Sequence, residues 1–304
     1  QNADLIISIG SRLDTKATGS PINTFARAAK KIVIDIDQNE LNKFHNFDMS
    51  IDIKINSDAK AFINALIKKI SKRNYLKIND WLSQINIWKK QYPICPESYY
   101  LEKKINPYVF VKKLSEELSE NEIICADTGC TIAWMMQAFE FKKNQKLFHD
   151  FNNTAMGWAL PASIGASLAM KNKRIICVVG DGSFSFNIQE LATIQNYNLP
   201  IKIFLLNNKG YSMIRQTQDQ WLKSKYYASS YKGGLAIINY LKIAKSYGFN
   251  TLSVNFNKEL TKAIKKTINN NNNTLCEIPV CLDPDDIVSR PCEGCLPTEL
   301  FVEG

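Results

Sequence analysis

The sequence predicts an α/β protein built from parallel sheets flanked by helices, arranged in two units. Three observations carry that expectation. Short apolar runs, such as IVIDI at 32–36 and RIICVVG at 174–180, alternate with helical segments in the rhythm of βαβ units. Several of these runs are apolar at nearly every position, as strands covered on both faces are. A Pro- and Tyr-containing stretch at 92–106 separates a shorter first series from a longer second one.

Residues 1–91 form the first series. A strand at 5–10 is followed by a helix over INTFARAAKK (22–31) and a strand at 32–36. DAKAFINALIKKISK (58–72) then places Ala61, Phe62, Ala65, Leu66 and Ile70 on one helical face. NDWLSQINIWKKQYP spaces Trp81, Ile85 and Trp88 as a packed helix and stops at Pro93. Residues 92–106 read as a linker. The second series, 107–285, runs through a helix at 107–119, a strand at 122–127, a helix from Ala133 and a helix at 160–170. It continues with a strand at 174–180, a helix at 187–197, a strand at 201–207 and a helix at 239–248. A strand near Thr251, a helix at 257–268 and a strand at 275–280 complete it, leaving 286–304 as a tail. The chain opens without Met and runs at once into an apolar strand, as though an earlier part of a domain were missing. A fragment of a longer protein is therefore expected.

Of the 304 residues, 38 are Lys or Arg and 29 Asp or Glu, a formal net charge of +9. The positive charge is scattered as Lys pairs and forms no basic stripe, so nucleic acid is not an expected partner. The Asn run after Ile268 reads as a surface loop. No apolar segment reaches the roughly 18 residues of a membrane span, and no signal-peptide pattern opens the chain, so a soluble cytoplasmic protein is expected. The eight cysteines are spread widely, and Cys125 and Cys177 lie in apolar runs where a small buried thiol is the default. Cys292 and Cys295 have CxxC spacing, but no second pair or nearby His completes four ligands, so a structural role is favoured over half a zinc site or a redox pair. His45 and His149 are too few and too far apart to indicate a metal site or a catalytic triad.

The chemistry concentrates in GDGSFSFNIQELATIQNYNLPIKIFLLNN, residues 180–208. In open parallel sheets ligands bind beyond the carboxyl ends of the strands, and Asp127, Asp181 and Asn208 all fall there. A carboxylate and an amide oxygen on neighbouring strand ends suit a hard cation such as Mg²⁺, which shares its oxygens with phosphate and water. Gly180 and Gly182 allow a sharp turn and a close approach of phosphate to backbone amides. Ser183 adds a hydroxyl donor, and a helix starting near Asn187 would aim its N-terminal dipole at the anion. A metal-bound diphosphate is the expected ligand.

Residues 180–208 resemble the cofactor signature of thiamine diphosphate enzymes, most closely the large-subunit acetolactate synthase branch. NNTAMGWALPASIGASLAM resembles the segment that grips the pyrimidine ring in that family, and ICADTGCTIAWMMQAF its first diphosphate-binding turn. ADLIISIGSRLDTKATG and IVIDIDQNEL resemble the second half of its middle domain. The resemblance implies a thiamine diphosphate-binding fold preceded by a partial Rossmann-like middle domain. It implies that Asp181, Asn208 and the Gly210 carbonyl hold Mg²⁺, and that Gly129, Cys130, Gly182 and Ser183 contact the diphosphate. The Thr154 carbonyl would accept from the 4′-amino group, and Met156 would be the apolar wedge that bends the cofactor. Thr128, Thr131, Tyr211 and Met213 complete the implied cofactor set.

The family's activating glutamate lies in an N-terminal domain and acts across a subunit interface. No segment here resembles that domain, so no catalytic residue is assigned on this chain. The chain alone is expected to be inactive, and its parent protein to be a homodimer or homotetramer. Arg12 in GSRLD matches an arginine that contacts FAD in some relatives; in others the same fold is empty, and the empty reading is favoured. Asp35 and Asp37 read as strand-end carboxylates.

The sequence departs from the acetolactate synthase pattern in three places. Thr217 follows MIRQ where those synthases carry a tryptophan that narrows the acceptor pocket, and Cys130-Thr131 replaces their usual Gln-His. The tail resembles relatives associated with surface-sugar pathways. The implied reaction is decarboxylation of a 2-oxo acid such as pyruvate, then carboligation to an acceptor carbonyl, with a keto-sugar as the candidate acceptor. Simple 2-oxo acid decarboxylation and a non-catalytic cofactor-binding subunit are the alternatives.

Overall fold

A computed structural model of the chain describes residues 3–70, 78–236 and 238–280. The tail at 286–304, with Cys292 and Cys295, lies outside the described residues. The chain divides into two compact units, residues 1–84 and 85–304.

The first unit holds β1 (Leu5–Ile9), α1 (Thr15–Thr18), β2 (Lys30–Asp35), α2 (Gln38–Asn42), β3 (Ile53–Asn56) and α3 (Ala59–Ile70). Its three strands run parallel in the order β1-β2-β3. Leu13, Val33, Leu41, Phe44 and Met49 form a small core. The helix expected over 22–31 does not form. A 3-10 turn at Ile22–Thr24 gives way to turns in which Ala26 has φ 45°, a left-handed value no right-handed helix accommodates. Lys30 and Lys31, assigned to that helix, instead pair with Leu5 and Ile6.

The division between the units falls inside α4 (Asn79–Gln91). Residues 92–106, read as a linker, contain the short helix α5 (Glu97–Leu101) and are pinned by one side chain. Asn257 donates to the carbonyls of Tyr99 (2.7 Å) and Glu102 (3.0 Å) and accepts from the Asn106 amide (3.0 Å).

The second unit follows with α6 (Pro107–Glu117), β4 (Ile123–Ala126), α7 (Cys130–Ala138), β5 (Lys146–His149), α8 (Ala159–Ala169) and β6 (Ile175–Gly180). Next come α9 (Asp181–Phe186), α10 (Glu190–Asn196), β7 (Ile201–Asn207), α11 (Ser212–Trp221), α12 (Tyr240–Ser246), β8 (Asn250–Ser253), α13 (Leu260–Ile268) and β9 (Thr274–Pro279). Six strands form one sheet in the order β5-β4-β6-β7-β9-β8, every pair parallel. Alternate residues serve opposite cores, the period of two that a strand imposes. Ile124, Ile176, Val178, Phe204 and Ile278 pack beneath α6, α7 and α13, while Ile123, Cys177, Val179, Ile203 and Leu275 pack beneath α8, α10 and α12.

Two sequence expectations shift here. The helix read from Asn187 begins at Glu190 and is preceded by a separate short helix that starts at Asp181 itself; the helix read from Ala133 begins at Cys130. The four-residue strands β3 and β5 were not foreseen. Both sit at sheet edges and are too short to register as apolar runs.

The strand order locates the binding crevice. From β4 the chain steps outward to β5, and from β6 it steps the other way to β7, so the direction reverses between two adjacent strands. At such a switch point the loops leaving the carboxyl ends diverge and leave a cleft.

Candidate functional site

Asp181 begins α9 directly after β6, and Asn208 follows β7; β6 and β7 are neighbours, with Gly180 opposite Leu206. The Gly210 amide donates to Asp181 Oδ2 at 3.1 Å, which ties the two strand ends together. Burial pushes the Asp181 carboxyl up from its ordinary range to about 6, against the opposing pull of backbone amides at Gly182, Gly210 and Asn208. The Asn208 Oδ1 is buried and has no hydrogen-bond partner. A buried carboxylate whose desolvation outweighs its hydrogen bonds and a buried amide oxygen left orphaned cost stability unless something binds there.

Glycine is required at two of these positions by close approach. A Cβ on Gly182 would fall 2.2 Å from the Tyr211 ring and 3.5 Å from Met156 Cε, and a Cβ on Gly210 would fall 2.4 Å from the Ser229 carbonyl oxygen. The same measurements place Met156 and Tyr211 at the first turn of α9. Gly129 caps α7 with φ 72°, and the space its missing Cβ leaves is bounded by Met213 at 3.6 Å. Thr131 Oγ1 lies 3.5 Å from where a Gly180 Cβ would be. Thus Gly129, Thr131, Met156, Asp181, Gly182, Asn208, Gly210, Tyr211 and Met213 are brought together beyond the carboxyl ends of β4, β6 and β7. Cys130 and Ser183 are buried in the first turns of α7 and α9, and Thr128 is half-buried in the β4–α7 turn.

Asp127 is not a crevice carboxylate. Its Oδ1 accepts from the Thr128 (3.0 Å) and Gly157 (3.2 Å) amides and its Oδ2 from the Ala159 amide (2.8 Å). It anchors the 154–159 segment to the end of β4. Within that segment Thr154 sits at φ 54°, a strained value for a β-branched residue, and its amide donates to the Asp150 carbonyl at 2.8 Å. The turn therefore holds the Thr154 backbone in an orientation that the chain would not choose alone.

Other candidates lie elsewhere or prove structural. Arg12 donates to Glu40 Oε1 from both Nε (3.0 Å) and Nη2 (2.7 Å). Asp37 caps α2 and Asp35 accepts from the Asp37 amide. His149 Nδ1 accepts from the Phe151 amide, and His45 lies against Lys54 Nζ. Burial pushes the Cys125 and Cys276 thiols up to about 11 and raises Cys177 well above its usual value, so these thiols stay protonated and unreactive.

The site contains two supports that the sequence did not announce. Tyr240, from α12, donates to the Asp181 carbonyl at 3.0 Å, and burial pushes its phenol up to about 12. Arg215, from α11, is buried at 3% exposure and donates from Nη2 to the Asn208 carbonyl (3.3 Å) and Ser212 Oγ (3.1 Å). The sequence carried no signal for Arg215: α11 buries the polar Ser212, Arg215 and Gln218 while Met213, Ile214 and Trp221 are exposed, the reverse of the usual amphipathic pattern.

The donor set fits a divalent metal carrying a diphosphate. One buried carboxylate, one orphaned amide oxygen and a turn whose glycine admits close approach are hard oxygen donors on rigid strand ends. Among the described residues no three His, Cys, Asp or Glu side chains converge as a metal cluster, so a cation here would draw on amide and carbonyl oxygens. Among the described residues, too, no helix is long and apolar enough to cross a membrane.

Comparison with known proteins agrees with this geometry. Residues 127–278 match the C-terminal TPP binding domain of thiamine pyrophosphate enzymes, and residues 1–66 match the central domain of the same enzymes. The chain belongs to the thiamine pyrophosphate enzyme family, thiamine pyrophosphate being thiamine diphosphate. Among its relatives are a probable acetolactate synthase large subunit of Methanococcus aeolicus, 32% identical over 92% of this chain and 47% of the relative, and the acetolactate synthase large subunit of Cyanidium caldarium, 32% identical over 87% and 44%. The chloroplastic acetolactate synthase of Arabidopsis thaliana is 29% identical over 100% of the chain and 45% of its own length. The chain spans about half the length of the curated relatives it matches.

Proposed function

We propose that this chain is the cofactor-holding part of a thiamine diphosphate- and Mg²⁺-dependent enzyme. The enzyme decarboxylates a 2-oxo acid such as pyruvate and joins the resulting fragment to an acceptor carbonyl. One observation carries the metal reading: the orphaned Asn208 Oδ1 beside the buried Asp181 carboxylate, at the strand ends where the family's cofactor domain is matched. Asp181, Asn208 and the Gly210 carbonyl would hold Mg²⁺. Thr128, Gly129, Cys130, Thr131, Gly182 and Ser183 would receive the diphosphate, with Tyr211 and Met213 closing over it. The Thr154 carbonyl and Met156 would orient the pyrimidine. Thiamine diphosphate, when bound, supplies an electron sink for carbanion chemistry. The chain's own residues bind it, fix its orientation and exclude water from it.

The activating acid is proposed to come from an N-terminal domain of the parent protein, across the interface of a homodimer or homotetramer. The isolated chain would then be inactive. For a flavin the supporting residue is Arg12, whose guanidinium is taken by Glu40, so the first unit is proposed to be empty. A cytoplasmic location is proposed with the unbridged thiols of Cys95, Cys125, Cys177 and Cys276 as support.

The acceptor is proposed to be larger than a second 2-oxo acid, with a keto-sugar as the candidate. Thr217 is exposed on α11 and its hydroxyl donates back to the Met213 carbonyl, so this position projects little bulk. Incubation of full-length protein with pyruvate, thiamine diphosphate and Mg²⁺, with and without nucleotide keto-sugars, tests this. Sugar-dependent pyruvate consumption with a branched-sugar product is expected. Rapid acetolactate formation from pyruvate alone, unchanged by sugars, would instead indicate an ordinary acetolactate synthase. Aldehyde release without an acceptor would indicate a simple decarboxylase, and cofactor binding without turnover a non-catalytic subunit.

A further inference from the structure

Three cationic side chains are buried among the described residues: Lys31, Lys202 and Arg215. The two lysines are held by carbonyls, Lys31 by Ala29 and Lys202 by Asn270 and Asn272. Arg215 differs. Its Nη2 reaches the Asn208 carbonyl and Ser212 Oγ, but its Nε is buried with no partner. A guanidinium has five donors and does not give up its proton, so burying one with a donor unspent costs free energy that nothing in the local fold returns.

Its position explains what could return it. The guanidinium packs on the open face of Gly210, where an added Cβ would meet Nη2 at 3.4 Å and Cζ at 3.5 Å. Gly210 in turn donates to Asp181. Burial pulls the guanidinium down from its usual value, and Asp181 is the largest opposing influence, followed by Cys130, Tyr226 and Asp219. Arg215 therefore stands behind the turn that carries the metal-side oxygens. Lys209, in the same turn, is exposed.

A diphosphate carries more negative charge than one divalent cation cancels once the Asp181 carboxylate is counted. We propose that Arg215 supplies the missing counter-charge, acting as a positioning residue for the diphosphate anion. This rests on the reading of the crevice as a diphosphate site. The role is electrostatic and directed at the anion, so it makes a prediction that a purely structural role does not: with no anion present, the fixed positive charge should repel a bare divalent cation.

The test uses full-length wild type, R215Q and R215K, with magnesium pyrophosphate titrated by calorimetry and Mn²⁺ alone titrated by water-proton relaxation. R215Q is expected to bind magnesium pyrophosphate about tenfold or more weakly, while binding bare Mn²⁺ as well as wild type or better. R215K keeps the charge and is expected to stay within about threefold of wild type for pyrophosphate. Loss of pyrophosphate and Mn²⁺ binding in parallel in R215Q would show that Arg215 only props up the turn, and unchanged pyrophosphate affinity would show that it does nothing for the anion. Should R215Q fail to fold, a tenfold loss in folded R215K would overturn the proposal by itself. Wild type binding no pyrophosphate would overturn the diphosphate reading and this proposal together, whereas normal wild-type binding with an unaffected R215Q overturns this proposal alone.

Discussion

The two ends of the six-stranded sheet treat buried polar groups in opposite ways. At the amino ends Glu122 and Arg174, the residues just before β4 and β6, form a salt bridge, and Arg174 also donates to the Ile268 carbonyl. Lys202, the second residue of β7, donates to two carbonyls of the Asn-rich loop, and the Asn273 side chain accepts from the Ile201 amide. Every one of these groups has a protein partner. At the carboxyl ends Asn208 Oδ1 and Arg215 Nε have none, and burial of the Asp181 carboxyl outweighs the amides that face it. The same strands thus carry a finished end and an unfinished one. Polar satisfaction costs little to complete when folding is the only demand, so an end left incomplete marks where a ligand belongs.

The largest expected effect sharpens that contrast. Asp181→Ala should weaken Mg²⁺-dependent thiamine diphosphate binding by more than about a hundredfold, because it removes the site's carboxylate and leaves a cation between phosphates and an amide. Calorimetric titration of full-length protein checks it; equal affinity in wild type and variant would sink the metal assignment.

At the other end, Glu122→Gln should lower folding stability by about 2–3 kcal/mol, the cost of leaving Arg174 without its anion, tempered by that side chain's partial exposure. Cofactor affinity should not change. Chemical denaturation paired with the same titration separates the two ends, and a loss of binding that matches the loss of stability would erase the distinction.

Asp181→Asn should act in the reverse sense on the cofactor-free protein. The folded-state pKa is raised from 3.8 to about 6, so the carboxyl is neutral in both states below about pH 4 and its burial then costs nothing. As pH rises through about 6 the carboxylate must be buried charged, and stability falls. The variant should therefore be more stable than wild type above pH 7 by on the order of 2 kcal/mol, with the gap closing below pH 4. Melting curves across that range decide it; a gap independent of pH would mean that the buried charge is not the cost.

The smallest effect is on selectivity. Thr217→Trp should leave folding and cofactor affinity unchanged while lowering the rate with a bulky acceptor relative to a second pyruvate by roughly tenfold. Product analysis in competing acceptors reads the ratio directly.

Much of this was legible in the residues. Runs such as IICVVG and IKIFLLN form β6 and β7 because they are apolar at consecutive positions and bounded by turn residues, features that need no tertiary information. The GDG turn and the Asn pair pointed to the cofactor domain that residues 127–278 match, since such residues at strand ends serve no packing purpose. Other features were hidden for physical reasons. INTFARAAKK has good helical composition, but sheet pairing takes Lys30 and Lys31 and a left-handed Ala26 turns the chain first. Asp127 resembles Asp181 in sequence, each following an apolar strand, yet the amides around Asp127 hold the 157–159 turn to the end of β4, whereas burial outweighs the amides around Asp181 and pushes its carboxyl up to about 6.

The sequence by itself therefore determined most of the strands, the class of fold and the family to which the 180–208 motif belongs, because periodicity and residue type are local properties. The tertiary structure decided which polar groups are spent and which remain available. Arg215 shows why: on an isolated helix its place among Met213, Ile214 and Trp221 would put it in water, and only the packing of α11 against the Asn208–Gly210 turn buries the charge and exposes the apolar face. Burial and the count of hydrogen-bond partners depend on elements brought together from across the chain, and a linear pattern does not record them.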